Sequence, residues 1–145
     1  ERKATAVGNP FKDFDSKAID GKDIRFAELV ENGKVTLLDF WASWCIPCIQ
    51  ESKELKELYK TYHEKGFNIV SVSLDTDKQK WLHAIQKHDL PWIHISTLKG
   101  FKDPGAIEYA VQAIPYVILI DRDGNIINQN QHGDILHNAI KEQFK

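Results

Sequence analysis

Residues 35–40, Val-Thr-Leu-Leu-Asp-Phe, form a near-continuous apolar run interrupted only by Thr36 and Asp39. A run of this length reads as a strand covered on both faces. Over residues 46–65 the period changes, with Leu55, Leu58, Tyr59 and Tyr62 at i, i+3, i+4 and i+7 and Gly66 as the stop, which predicts a helix. Lys53, Lys56 and Lys60 with Glu54, Glu57 and Glu64 fall mostly on its other faces and form a solvated surface. Residues 67–74 repeat the strand pattern, and Asp75-Thr76-Asp77 caps a helix carrying Trp81, Leu82 and Ile85. A short strand is expected at 91–95 and a brief helix from Asp103-Pro104-Gly105 through Val111. A strand at 116–120 turns through Asp121-Arg122-Asp123-Gly124 into 125–128. The closing helix is expected at 134–144, with Ile135, Leu136, Ala139 and Ile140 inward. Residues 1–34 are polar and turn-rich, with short apolar pieces at 11–14 and 24–26 around Asp20-Gly21-Lys22, and read as an N-terminal β-hairpin extension. Strands alternating with helices and then a hairpin predict an α/β fold with a central mixed β-sheet flanked by helices.

The 145 residues, 42% hydrophobic, suffice for one domain with a real core, so residues 1–145 are expected to fold as a single unit. The 19 Lys+Arg and 21 Asp+Glu are interspersed and leave a net charge of −2, which offers no footprint for a nucleic-acid backbone. No stretch approaches 18 apolar residues, so no transmembrane segment is expected. The chain opens Glu1-Arg2-Lys3-Ala4 without an initiating Met or an apolar signal core. It is therefore expected to be a processed or truncated product whose targeting segment, if one exists, lies upstream.

The two cysteines, Cys45 and Cys48, sit in Trp44-Cys45-Ile46-Pro47-Cys48. A bridge over four residues would remove chain entropy worth only about 2 kcal/mol, against nearly 5 for a 100-residue loop, so a structural staple explains the pair poorly. A redox dithiol or half of a metal site remains. Between a strand and a helix, the Cys45 sulfur would lie near unpaired helix N–H groups and the positive end of the helix dipole, which favour thiolate over thiol. Pro47 fits the first helical turn, where its missing N–H is no loss. Cys48 is expected one turn deeper and less exposed, making Cys45 the nucleophile and Cys48 the resolving thiol. Asp39, in the middle of an apolar strand, is either turned to solvent at the strand end or buried with a raised pKa. If buried, it could deprotonate Cys48 through a water during resolution. Glu51, three residues after Cys48, either tunes the pair or is one of many helix-surface acids.

Residues 38–48, Leu-Asp-Phe-Trp-Ala-Ser-Trp-Cys-Ile-Pro-Cys, resemble the thioredoxin-superfamily signature, and most of all the AhpC/TSA-related TlpA/ResA-like thiol-disulfide oxidoreductases. The likeness extends over nearly the whole chain, through the Asp-Gly-Lys extension, Ser71-Val72-Ser73-Leu74-Asp75, residues 109–115 and residues 120–124. It implies a thioredoxin-like fold and a cis Pro115 facing the cysteines, where the adjacent backbone pairs with an incoming substrate segment. Position 39 is often Asn in the TlpA-like group and Asp in thioredoxins, so Asp39 resembles a thioredoxin resolving base. Glu51 matches the Glu of the TlpA-like group. Tyr116 is bulkier than the Thr common after that proline. With Trp44 and Ile114 it is expected to wall an apolar groove beside Cys45 for a protein or peptide segment, the alternative being a partly buried strand tyrosine.

Rival readings are a metal-binding or interaction module and a thiol peroxidase. His83/His88 and His132/His137 share a His-x4-His spacing, but residues five apart on a helix point about 140° apart, and these histidines are expected at a surface or interface. Before Cys45 stand Ala42-Ser43-Trp44, without the Thr three positions upstream that peroxiredoxin-type sites use. The expectation is a protein-disulfide reductase that works through a mixed disulfide on Cys45, with the redox-active Cys45–Cys48 disulfide and no bound cofactor. Ile46-Pro47 lacks the His of oxidant-type motifs, and Ile114 before Pro115 is thioredoxin-like. The resemblance implies a bacterial periplasmic or cell-envelope setting, protein thiol clients such as apocytochromes in cytochrome c maturation, and a membrane thiol-disulfide electron donor.

Overall fold

The computed structural model describes residues 2–145 and assembles them on a five-stranded mixed sheet. Its strands are β3 (Val35–Trp41), β4 (Phe67–Ser73), β5 (Ile93–Ile95), β6 (Tyr116–Ile120) and β7 (Ile126–Gln129), in the order β5-β4-β3-β6-β7. β3, β4 and β5 are parallel, whereas β6 runs antiparallel to β3 and β7 to β6. All seven residues of β3 and all seven of β4 are buried, as the apolar runs predicted for strands with both faces covered. This is the thioredoxin-like fold, with a separate two-stranded antiparallel sheet, β1 (Asp15–Lys17) and β2 (Asp23–Arg25), near the N-terminus.

Strand alternation sorts the core into two layers. On one face, Val35, Leu37, Trp41, Ile69, Val117 and Leu119 pack under helices α1 (Ile46–Tyr62), α2 (Lys78–His88) and α4 (Gly133–Glu142). On the other, Leu38, Phe40, Val70, Val72, Ile118 and Ile120 meet α3 (Pro104–Glu108) and the N-terminal extension. The extension is thus a core element: Phe14 stacks on Phe26 at 4.8 Å, and Phe11 meets Phe26 edge-on at 5.7 Å. Tyr109 fastens it, its hydroxyl donating to Lys12 O at 2.7 Å and accepting from Lys12 N at 2.8 Å. Its turn forms at Asp20-Gly21-Lys22 as read, with Asp20 Oδ1 accepting from Lys22 N at 3.0 Å.

Three local expectations need correction. The helix expected through Val111 closes at Glu108, because Ala110 adopts φ 52° and carries the chain away towards Val111. Ile135 is 61% exposed rather than inward: in the first turn of α4 it lies one residue, about 100°, off the buried Leu136–Ile140 stripe. Asp77 alone caps α2, its Oδ1 accepting from Gln79 N at 2.9 Å, while Asp75 turns back to the loop before Cys45.

Candidate active site

β3 delivers the chain to a short loop, and Cys45 becomes the N-cap of α1. Its Sγ accepts a hydrogen bond from Cys48 N at 3.2 Å and is joined to Cys48 in a disulfide with Cα atoms 5.3 Å apart. Pro47 occupies the first turn of α1, as expected. In this oxidised state Cys45 and Cys48 are buried to nearly the same degree, 5% and 4% exposed. What separates them is position. Cys45 alone stands at the helix terminus, where the backbone N–H groups and the dipole stabilise a thiolate once the bridge opens. Trp44 beside it is 60% exposed.

The loop is held from below. Asp75, buried at the end of β4, accepts from Ser43 N at 3.0 Å, from Ser43 Oγ at 2.6 Å and from Ser73 Oγ at 2.5 Å. The residue two before Cys45 is therefore fixed to the sheet by a carboxylate 32 positions away.

Asp39 is buried in mid-strand, which excludes a solvent-facing strand end. Register places Val117, Asp39, Ser71 and His94 side by side across β6, β3, β4 and β5. Ser71 Oγ donates to Asp39 Oδ2 at 2.8 Å, and Trp92 Nε1 donates to Ser71 Oγ at 2.8 Å. Burial, reinforced by the nearby negative charge of Glu51, pushes Asp39 up to about 7, while the Ser71 hydroxyl and His132 oppose the rise. His94 lies against Trp41 and Trp92, with burial pushing it down to about 4, so it is a neutral core imidazole.

Glu51 is no ordinary helix-surface acid. Its side chain is largely buried, and its Oε2 meets His132 Nδ1 in an ion pair across the seam between α1 and the loop before α4. The other ring nitrogen of His132 contacts Asn130 Oδ1 at 2.6 Å. His137 Nε2 approaches Glu54 Oε2 to 3.4 Å without forming a hydrogen bond. The two histidines thus reach carboxylates of α1 rather than each other, whereas His83 is exposed on α2. Among the described residues no group of three His, Cys, Asp or Glu side chains is arranged to hold a metal ion.

Pro115 follows a cis Ile114–Pro115 bond immediately before β6. The pairing of Tyr116 with Phe40 puts it at the same end of the sheet as the cysteine loop. Ile114 is half-buried between the two core layers. Tyr116 does not wall a groove beside Cys45. It is 1% exposed, with its ring 6.2 Å from Phe40 on the opposite layer, because alternation along β6 sends Val117 and Leu119 to the cysteine side and Tyr116 away from it. Ser71, Trp92, Asp75, Asn130 and His132 were not singled out by the sequence as site residues. For Ser71 and Ser73 the signal was present, since both are polar, in a fully buried strand, and two apart on the face of Ile69. His132 had no local signal, as its partner is 81 positions away.

Residues 32–126 match the family model described as thioredoxin-like. The ResA thiol-disulfide oxidoreductase of Bacillus cereus is 30% identical over all 145 residues, spanning 78% of that protein. A solved thiol-disulfide oxidoreductase of Bacteroides fragilis superposes with a TM-score of 0.83 at 31% identity, over 92% of this chain and 98% of that one. A thiol:disulfide interchange protein from a Bacteroides species gives 0.82 at 27% identity, over 96% and 90%. With its Cys-x-x-Cys pair at the head of α1, the chain belongs to the thioredoxin-like family, among its thiol-disulfide oxidoreductases.

Proposed function

We propose that this enzyme reduces protein disulfides, with Cys45 as nucleophile, Cys48 as resolving thiol and Asp39 as the base for Cys48. The observation that carries the assignment is Cys45 at the N-cap of α1, its sulfur receiving the Cys48 N–H. In the reduced enzyme the Cys45 thiolate attacks a client disulfide, one client sulfur leaves, and a mixed disulfide forms. Cys48 then gives its proton to Asp39 and attacks Cys45 Sγ, which releases the second client sulfur and closes the Cys45–Cys48 bridge. The client gains two electrons and the enzyme loses two, so the cysteine pair itself carries the electrons and no bound cofactor is required. Trp44 and Ile114 are assigned to client docking beside the Pro115 backbone, and Pro47 and Glu51 to tuning of the pair.

The reductase direction rests on Ile46-Pro47, which places no cationic His beside the Cys45 thiolate, and on Ile114 before Pro115. By kinship with ResA the enzyme is assigned to the outer side of a bacterial cytoplasmic membrane, in the periplasm or cell envelope. There it would draw electrons from a membrane thiol-disulfide donor and serve protein thiols such as those handled in cytochrome c maturation. No helix among the described residues is long and apolar enough to cross a membrane.

Trapping tests the roles: Cys48→Ser should accumulate covalent adducts through Cys45 and Cys45→Ser should not, and equal trapping by both would overturn the assignment. The reduction potential tests the direction. Thioredoxin and the strong bacterial oxidant differ by about 150 mV, roughly five orders of magnitude in the exchange equilibrium. A value near the thioredoxin end supports a reductase, and one near the oxidant end makes the enzyme a disulfide donor.

A further inference from the structure

Behind the cysteine pair, a hydrogen-bonded chain runs from Val117 N through Asn130 and His132 to the buried carboxyl of Glu51, next to Asp39 on the strand that Val117 opposes. Val117 N donates to Asn130 Oδ1 at 3.3 Å, and a backbone N–H can only donate, so this contact orients the Asn130 amide with its oxygen as acceptor. His132 Nε2, 2.6 Å from the same oxygen, must therefore carry a proton. The remaining ring nitrogen faces Glu51 Oε2, so one further proton lies between His132 Nδ1 and that carboxyl group, whichever of the two holds it. Glu51 Oε1 is buried with no hydrogen-bond partner among the described residues. Asp39 interacts electrostatically with both Glu51 and His132. His132 is itself half-buried, whereas Asp39 is buried.

We propose that His132, held by Asn130, is a positioning residue of the exchange reaction: it secures Glu51 beside Asp39 and passes the proton that Asp39 takes from Cys48 on to solvent. This rests on the assignment of Asp39 as the base for Cys48. The proton count closes. Asp39 accepts one proton from Cys48, the Glu51–His132 pair accepts it as the Asp39 carboxylate is regenerated, and His132 loses it to water. No electron moves along this path. The groups facing His132 are Glu51 on α1, Asp39 on β3 and Asn130 in the loop after β7, with the Glu54–His137 pair adjoining on the α1–α4 seam. The Glu51 hydrogen bond chiefly, and then the charges of Glu51 and Asp39, hold His132 above the ordinary imidazole range against the effect of its burial.

The test uses His132→Gln, which can bond Glu51 but not carry a second proton, and His132→Ala. Two readouts are followed in each. The first is the titration of the Asp39 carboxyl by 13C NMR in the oxidised protein, which needs no activity. Losing the cation should raise its midpoint by about one pH unit, a tenfold change in the ionised fraction at a given pH. The second is stopped-flow oxidation of the reduced protein by a small-molecule disulfide between pH 5 and 9. Resolution by Cys48 should slow about tenfold and recover in His132→Ala when imidazole is added. A purely structural role would lower the melting temperature yet leave the Asp39 midpoint and the imidazole response unmoved, and that result overturns the proposal. If the wild type forms the mixed disulfide but never resolves it, the roles given to Cys48 and Asp39 fail, while the Asp39 titration still decides whether His132 governs that carboxyl. Should both His132 variants fail to fold, Asn130→Ala, which removes the acceptor shared by His132 Nε2 and Val117 N, is read in the same two ways.

Discussion

Ser71 Oγ donates to Asp39 Oδ2 at 2.8 Å from the directly opposed position on the neighbouring parallel strand. The hydroxyl is itself held by the indole N–H of Trp92, so a carboxyl that is only 5% exposed, six residues before Cys45, has one ordered side-chain donor. One neutral donor offsets little of the desolvation of a carboxylate, which is why burial dominates and Asp39 titrates near 7.

Asp39 should make stability pH-dependent in a direction opposite to that of salt-bridged acids. Its folded pKa of about 7 lies above the unfolded value of 3.8, so the folded state keeps a proton that the unfolded chain has already released. Stability is full below pH 4, falls as pH rises towards 7, and stays lower above it. The gap of about three pH units corresponds to about 4 kcal/mol. Asp39→Asn should abolish most of this slope and leave the oxidised protein more stable than wild type at pH 9 by a few kcal/mol. Urea denaturation at pH 5 and pH 9 checks it. A wild-type midpoint that does not fall between those pH values would contradict an ionisable, desolvated Asp39.

Asp75→Ala should loosen the loop before Cys45. It strands Ser43 N, Ser43 Oγ and Ser73 Oγ without their acceptor, which costs about 2–4 kcal/mol if water cannot reach them. Because Ser43 is two residues from Cys45, the alkylation rate of reduced Cys45 should change along with stability. Asp75→Asn, which keeps an acceptor oxygen, should recover part of both. Thermal melts with iodoacetamide kinetics provide the measurement.

Gly105→Ala probes how closely the N-terminal extension is seated. A Cβ at position 105 would lie 2.7–2.9 Å from three atoms of the Phe14 ring, inside contact distance. The ring is stacked on Phe26 and has little room to retreat, so a loss of about 1–3 kcal/mol is expected. Phe14→Leu in the same chain should relieve part of the clash. Additive losses in a double-mutant cycle by chemical denaturation would mean that the two residues do not touch.

The fold and the cysteine site were legible from the sequence because they rest on local chemistry. Two largely apolar runs read as strands, a 3.6-residue period set α1, and Gly66, at φ 106°, closed the 3-10 turn His63–Lys65 that extends it. The Cys-x-x-Cys spacing, Pro47 in the first turn and an acid inside an apolar strand marked Cys45, Cys48 and Asp39 as candidates from the sequence. Tertiary structure decided what those residues meet. Strand alternation gave each residue of β6 a face, but only its register beside β3 showed which face held the cysteines, and so turned Tyr116 away. The burial of Glu51 depends on a loop 81 residues later, and Asp75 could be separated from the α2 cap only once Ser43 lay above it. These contacts pair residues distant in sequence, and neither period nor spacing encodes which buried polar atom will find which partner.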